Sequence, residues 1–169
     1  MAIDKIQSES INLADTFAFT GTVTGAGESN IPYFEAYVNS NFNVSANTTT
    51  VAQFGAENFD SASAFNVSDY RFTPQTSGKY FFYTKLYANL AGGNITLNIR
   101  KNGTAFVIGD ETNGSRDSAD YGFYQLNGMI DANGSSDYFD VTWYQNTGGT
   151  KTVYNSNKSI FGGFLISTT

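Results

Sequence analysis

The chain reads as an all-β protein, a sandwich of antiparallel strands, on three observations. Turn-forming pairs recur along it: Gly92-Gly93, Asn102-Gly103, Asn113-Gly114, Asn133-Gly134 and Gly148-Gly149, at intervals suited to hairpins. Between them stand short apolar runs rich in Phe and Tyr, side chains that suit a pleated surface. No window carries a 3.6-residue apolar period over helical length. With 15 Phe, 11 Tyr and 17 Gly among 169 residues, the chain is long enough to bury one real core.

Composition narrows the function. A net charge of −6 disfavours nucleic acid or an anionic membrane surface as the main partner, and no apolar run approaches membrane-spanning length. The sequence contains no Cys and no His. That removes thiol nucleophiles, the commonest general base and most transition-metal sites. The opening MAIDKIQSES lacks a basic segment followed by an apolar one, so Sec-type export is not expected.

The elements follow in chain order. Residues 1–30 carry sparse Ile3, Ile6, Ile11 and Leu13. The stretch FAFTGTVTGAGES then alternates Phe17, Phe19 and Val23 before a Gly-rich hinge. Such a segment has no core of its own. It is expected to be an anchoring arm that pairs with sister arms or docks on another protein by strand addition, or else a disordered tail. Residues 31–169 form the head, with strands expected at 33–38, 50–54, 63–72, 79–88, 95–100, 104–108, 119–130, 138–144 and 159–166.

These strands are of two kinds. Ile95, Leu97 and Ile99 alternate with Thr96, Asn98 and Arg100, and Phe139, Val141 and Trp143 alternate with Asp140 and Thr142. That pattern gives one buried and one wet face. In 79–88, by contrast, Tyr80, Phe82 and Leu86 lie on one face, with Phe81, Tyr83 and Tyr87 on the other. In 119–130, Tyr121, Phe123 and Met129 oppose Tyr124, Leu126 and Ile130. In the final stretch SIFGGFLISTT, Phe161 and Leu165 oppose Phe164 and Ile166. A sandwich has one interior, so the second apolar face needs another cover. An identical subunit is the expected one, with Phe81, Tyr83, Tyr87, Tyr121, Phe123, Phe161 and Phe164 as interface candidates. The plainer alternative is that abundant aromatics simply lie exposed.

An ordered set of segments resembles the globular C1q domain of the C1q/TNF superfamily. FTPQTSGKYFFYTKLY (72–87) precedes IRKNG (99–103), SSDYFDV (135–141) and SIFGGFLI (159–166). The match spans roughly residues 33–166. The family's Gly-Asp pair stands here as Ser136-Asp137, and no collagen-like stalk is present, so the recruitment partners of animal members do not carry over. The resemblance implies a ten-stranded antiparallel jelly roll that trimerises about a three-fold axis. Its inner sheet would hold the strands at 79–88, 119–130 and 159–166, and its outer sheet those at 95–100 and 138–144. The arm and the Asn/Gly/Ser/Thr-rich head are also similar in style to structural proteins of tailed bacteriophages, in which C1q-like heads cap fibres or decorate virions.

Antiparallel neighbours place connections 39–49, 89–94, 109–118 and 145–158 together at the end distal to the arm. They are rich in Asn, Ser, Thr, Tyr and Gly, a mixture suited to hydrogen-bonding sugars or adapting to a protein partner. The receptor-binding candidates are Asn94, Asp110, Glu111, Asn113, Arg116, Asp117, Tyr154 and Asn155. The loop GDETNGSRDSAD offers oxygen ligands for Ca²⁺ without EF-hand spacing, and some members of the family bind Ca²⁺ near the apex. Its paired carboxylates, Asp110-Glu111 and Asp117/Asp120, are expected to be solvated rather than catalytic. With no G-x-S-x-G elbow either, no enzyme is expected.

The sequence therefore points to a non-enzymatic virion surface protein. Its partners would be itself as a homotrimer, another virion protein through the arm, and a host surface glycan or protein. Nucleic-acid binding and membrane insertion are not expected. Its role would be host attachment as a fibre tip, or decoration of the capsid or tail. A cellular C1q-like lectin or adhesin is the competing class.

Overall fold

The computed structural model describes residues 31–89, 93–114 and 121–168, without the side chains of 105–114 and 156–157. The arm at 1–30 lies outside the described residues. Among the described residues thirteen strands follow one another: β1 (Tyr33–Val38), β2 (Phe42–Val44), β3 (Thr50–Val51), β4 (Ala56–Asp60), β5 (Phe65–Asn66), β6 (Arg71–Phe72), β7 (Ser77–Asn89), β8 (Gly93–Lys101), β9 (Thr104–Gly114), β10 (Tyr121–Asn133), β11 (Phe139–Gln145), β12 (Lys151–Val153) and β13 (Ser156–Thr168). They form two antiparallel sheets. One runs β2-β12-β7-β13-β1-β4, with β10 on the other side of β7; the other runs β5-β6-β11-β8-β9, with β3 beside β11. The expected sorting holds: β7, β10 and β13 share one sheet, β8 and β11 the other.

Between the sheets lies a core dominated by rings. Phe34 stacks on Phe72 at 4.0 Å and meets Phe161 edge-on at 5.1 Å, while Phe82 packs against Phe139 at 4.6 Å. Phe54, Tyr80, Leu86, Ile99, Val141 and Trp143 complete it, all fully buried. Offset and edge-on ring pairs add stability beyond their buried area. The strand alternation in sequence thus becomes one shared interior.

Two of the segments that carry the family resemblance meet at one end of the roll as a polar clamp. Asn102 and Gly103 turn β8 into β9 with φ of 56° and 68°, the left-handed pair a two-residue hairpin requires. Asn102 Nδ2 donates to Asp137 Oδ1 at 2.8 Å, and Lys101 Nζ contacts Asp137 Oδ2 at 2.7 Å. The Asn133 amide donates to Asp137 Oδ2 at 2.8 Å, and the Tyr138 amide to Asn102 Oδ1 at 2.9 Å. Burial raises the Asp137 pKa, but the hydrogen bonds from Lys101, Asn102 and the Asn133 amide outweigh it, so the group titrates below the ordinary carboxylate range. Of the Ser136-Asp137 pair, it is the aspartate that supplies the carboxylate of this clamp.

Several expectations are corrected. The single strand at 63–72 is two, β5 and β6. Asn66 bends the chain between them, accepting the Ser68 amide at its side chain and the Tyr70 amide at its carbonyl. The strand at 50–54 is regular only over Thr50–Val51, although Ala52 and Phe54 are buried. Three strands were not foreseen: β2, β4 and β12. The sequences AENFD and KTV show no apolar alternation; backbone pairing with β1, and with β2 and β7, makes them strands. Strand β9 continues to Gly114, pairing Asp110 with Leu97, Glu111 with Thr96 and Asn113 with Asn94. A ladder needs only backbone groups, so its polar far half gave no sign of itself. Strand β11 is also buried on both faces, where one wet face was expected. Asp140 lies fully buried beneath the Arg100 guanidinium, which donates to both its oxygens at 2.8 Å.

Candidate functional site

The outward face of the sheet containing β7 carries aromatic side chains in register across five strands. Met129 (β10), Phe81 (β7), Phe164 (β13) and Tyr33 (β1) form one row. Asn127, Tyr83, Gly162, Glu35 and Phe59 (β4) form the next. Gln125, Lys85, Ile160 and Tyr37 follow, and then Phe123 beside Tyr87. Alternation in β7 buries every second residue and leaves Phe81, Tyr83, Lys85 and Tyr87 half-buried. Met129 is 63% exposed, Phe123 48% and Phe164 43%. Apolar side chains so exposed and so contiguous mark an interaction surface.

One carboxylate sits among these rings. Glu35 accepts from Asn58 Nδ2 at 2.7 Å and from the Tyr83 hydroxyl at 2.8 Å. Burial first, then the hydrogen bond to Glu35 and its charge, lift the Tyr83 pKa far above the usual phenol range. Tyr83 therefore stays a neutral donor. It reaches Glu35 by crossing the backbone of Gly162, where a Cβ would collide with the Tyr83 ring. At Gly163 a Cβ would stand 2.7 Å from the Phe82 ring, on the core side. The two glycines of FGGF thus let one ring lie flat on each face of β13.

At the loop end the face merges with a tyrosine cluster. Tyr87 packs on Phe123 at 5.0 Å and on Tyr121 at 5.7 Å, and Tyr121 meets Tyr154 at 5.3 Å. A hydrogen bond with Tyr121, together with burial, raises the Tyr154 pKa. The Tyr154 amide donates to the Tyr87 carbonyl at 3.0 Å, and Ser159 Oγ donates to the Tyr154 carbonyl at 3.2 Å. Two ammonium groups cap the rings: Lys85 Nζ lies 5.3 Å from the Phe123 centroid and Lys158 Nζ 4.9 Å from that of Tyr87.

Of the interface candidates, Phe81, Tyr83, Tyr87, Tyr121, Phe123 and Phe164 stand on this face. Phe161 does not. It is fully buried in the core, because β13 alternates and Phe161 shares the Leu165 side rather than the Phe164 side. Sequence reading omitted Tyr33, Glu35, Tyr37 and Phe59 from the interface. The alternation of YFEAYV in β1 carries a signal for the first three, and nothing in AENFD marks Phe59.

The loop candidates divide. Asn94 is the second residue of β8, its amide bonded to Asn146 Oδ1 at 2.6 Å, and the Asn155 amide donates to Asn41 Oδ1 at 2.7 Å. Connections 39–49, 89–94 and 145–158 therefore do meet. Asp110, Glu111 and Asn113 lie on strand β9, not in a loop. Arg116 and Asp117 lie outside the described residues, as does the second half of the expected Ca²⁺ loop, 115–120. Tyr154 belongs to the ring cluster rather than to a separate loop surface.

No family model matches the sequence, and no curated protein matches it. Solved structures do resemble the fold. The globular domain of zebrafish complement 1qA superposes with a TM-score of 0.59 at 15% identity, covering 82% of this chain and 99% of that one. Eiger TNF of S. frugiperda gives 0.63 at 11% identity, over 83% and 96%. Murine APRIL at pH 5.0 gives 0.62 at 10% identity, over 80% and 99%. The fold is therefore a C1q/TNF-like jelly roll, as the segments FTPQTSGKYFFYTKLY to SIFGGFLI implied.

Proposed function

We propose that this chain is a non-enzymatic structural protein of a phage particle, a homotrimer whose C1q-like head projects from the surface as a fibre tip for host attachment. The observation that carries the self-association is the aromatic face spanning β10, β7, β13, β1 and β4. A roll whose core is already closed leaves that face for another surface to cover, and the C1q resemblance supplies three-fold packing through this sheet. Residues 1–30 would anchor the head to another virion protein. Connections 39–49, 89–94 and 145–158 would meet a host glycan or protein.

A second reading, decoration of the capsid or tail, draws support from the loops themselves. Their polar groups largely satisfy one another. Asn94 pairs with Asn146, Asn155 with Asn41 and Thr152 with Asn43. Loops so tied down suit a stabilising cap as well as a receptor site. The test is made on particles carrying Asn155→Ala or Lys151→Glu, both away from the aromatic face. Attachment requires slower adsorption with unchanged particle stability. Decoration requires unchanged adsorption, with particles that break at lower temperature when the protein is missing.

A further inference from the structure

The aromatic face carries two charges, Lys85 and Glu35, that form no ion pair among the described residues. Lys85 on β7 and Glu35 on β1 are two strands and one row apart, about 12 Å of sheet. The Lys85 ammonium leans further away, over Phe123 toward β10. Among the described residues the ion pairs involve Arg71, Lys79, Arg100 and Lys101, not Lys85. Among the described residues Glu35 receives the neutral donors Asn58 and Tyr83. Covering the face would desolvate one cation and one anion, each costly to bury without an opposite charge.

We infer that the cover is a second copy of this chain set head to tail, with Lys85 of one copy against Glu35 of the next. The inference rests on the self-association proposed above and names the contact that orients it. The β10/β7 half of the face is cationic and aromatic, with Lys85 over Phe123 and the Lys158 ammonium of neighbouring β13 over Tyr87. The β1/β4 half is anionic and aromatic, with Glu35 between Tyr33, Tyr37 and Phe59. Setting like halves together would bury like charges. Setting unlike halves together pairs the charges and the rings at once. Unlike halves can meet twice over in a two-fold pair or once per contact around a closed ring, and the three-fold packing proposed above selects the ring.

Charge exchange tests this. Lys85→Glu and Glu35→Lys should each raise the dissociation constant of the assembly by about 100-fold or more, and the double variant in one chain should restore it. Circular dichroism reports whether each variant folds. If Glu35→Lys does not fold, Lys85→Glu with Glu35→Gln decides, because removing the second carboxylate must improve assembly over Lys85→Glu alone. Mixing the two single variants adds a count. In a three-membered ring one like-charge contact always remains, so the mixture stays impaired, whereas a two-fold dimer would be fully restored and would overturn the ring. A wild-type monomer would refute the self-association itself. A wild-type oligomer whose mass ignores Lys85→Glu would refute only this pairing.

Discussion

Replacing Asp137 by Asn should loosen the end of the roll where the Lys101-Asn102-Gly103 turn meets the loop before β11. Asp137 is 6% exposed. It takes the Lys101 ammonium at 2.7 Å, and the Asn102 side chain and Asn133 amide at 2.8 Å each. An amide keeps one acceptor but turns a donor toward groups that are themselves donors. Hydrogen bonds to charged groups contribute about 1.5–3 kcal/mol each. Lys101 can rehydrate, because its side chain is 30% exposed, so the net loss should be about 2–3 kcal/mol rather than the sum. For a chain of this size that is a fall in Tm of about 4–12 °C, measured by calorimetry at one fixed protein concentration because assembly also shifts Tm. The pH dependence carries a second signature. The folded pKa of Asp137 lies below its unfolded value, so its contribution is complete above the unfolded value and disappears as pH falls through the folded one. Wild type should therefore lose Tm on acidification faster than Asp137→Asn, and the two should converge at low pH. Equal Tm at neutral pH, or parallel acid limbs, would refute the clamp.

Four further outcomes follow from the packing. Phe161→Ala should cost about 3–5 kcal/mol because its ring is in the core. Phe164→Ala should leave the melting of the isolated subunit nearly unchanged yet weaken assembly, and the two are separated by comparing denaturant midpoints with mass on dilution. Asp140→Ala should cost about 3–5 kcal/mol by leaving the Arg100 guanidinium without its carboxylate in a largely buried site, visible as a lower urea midpoint. Deleting residues 1–30 should preserve the head, since the described residues from Phe34 to Leu165 already pack into one buried cluster; an unfolded truncation by circular dichroism would place the arm within the roll.

What the sequence disclosed was decided by where each side chain's energy comes from. Strands β7, β10 and β13 were legible because apolar residues stand on both of their faces, which no single core can use. The same parity cannot say which face is the core, and Phe161 was set on the wrong one for that reason. Strands β4 and β12 and the far half of β9 are held by backbone pairing, which leaves no mark on side-chain pattern. Asp140 looked like a wet residue on an alternating strand; the Arg100 fork from the neighbouring strand, with Arg71 at 4.0 Å, makes its burial affordable. The Asn102 and Asp137 segments were recognisable by resemblance, but their mutual bond spans 35 residues and belongs to the folded state alone. Tyr154 stands in the connection between β12 and β13, as read, but its packing on Tyr121 and Tyr87 joins residues far apart in the chain and left no sign in the sequence.

The mass of the purified chain in solution, by light scattering coupled to size exclusion and repeated on serial dilution, tests the account most directly. The aromatic face and the head-to-tail pairing of its halves predict three times the chain mass, held across dilution, with no binding of a dye that reports exposed apolar surface. A monomer at every concentration, stable and soluble with Met129, Phe123 and Phe164 open to water, would contradict it.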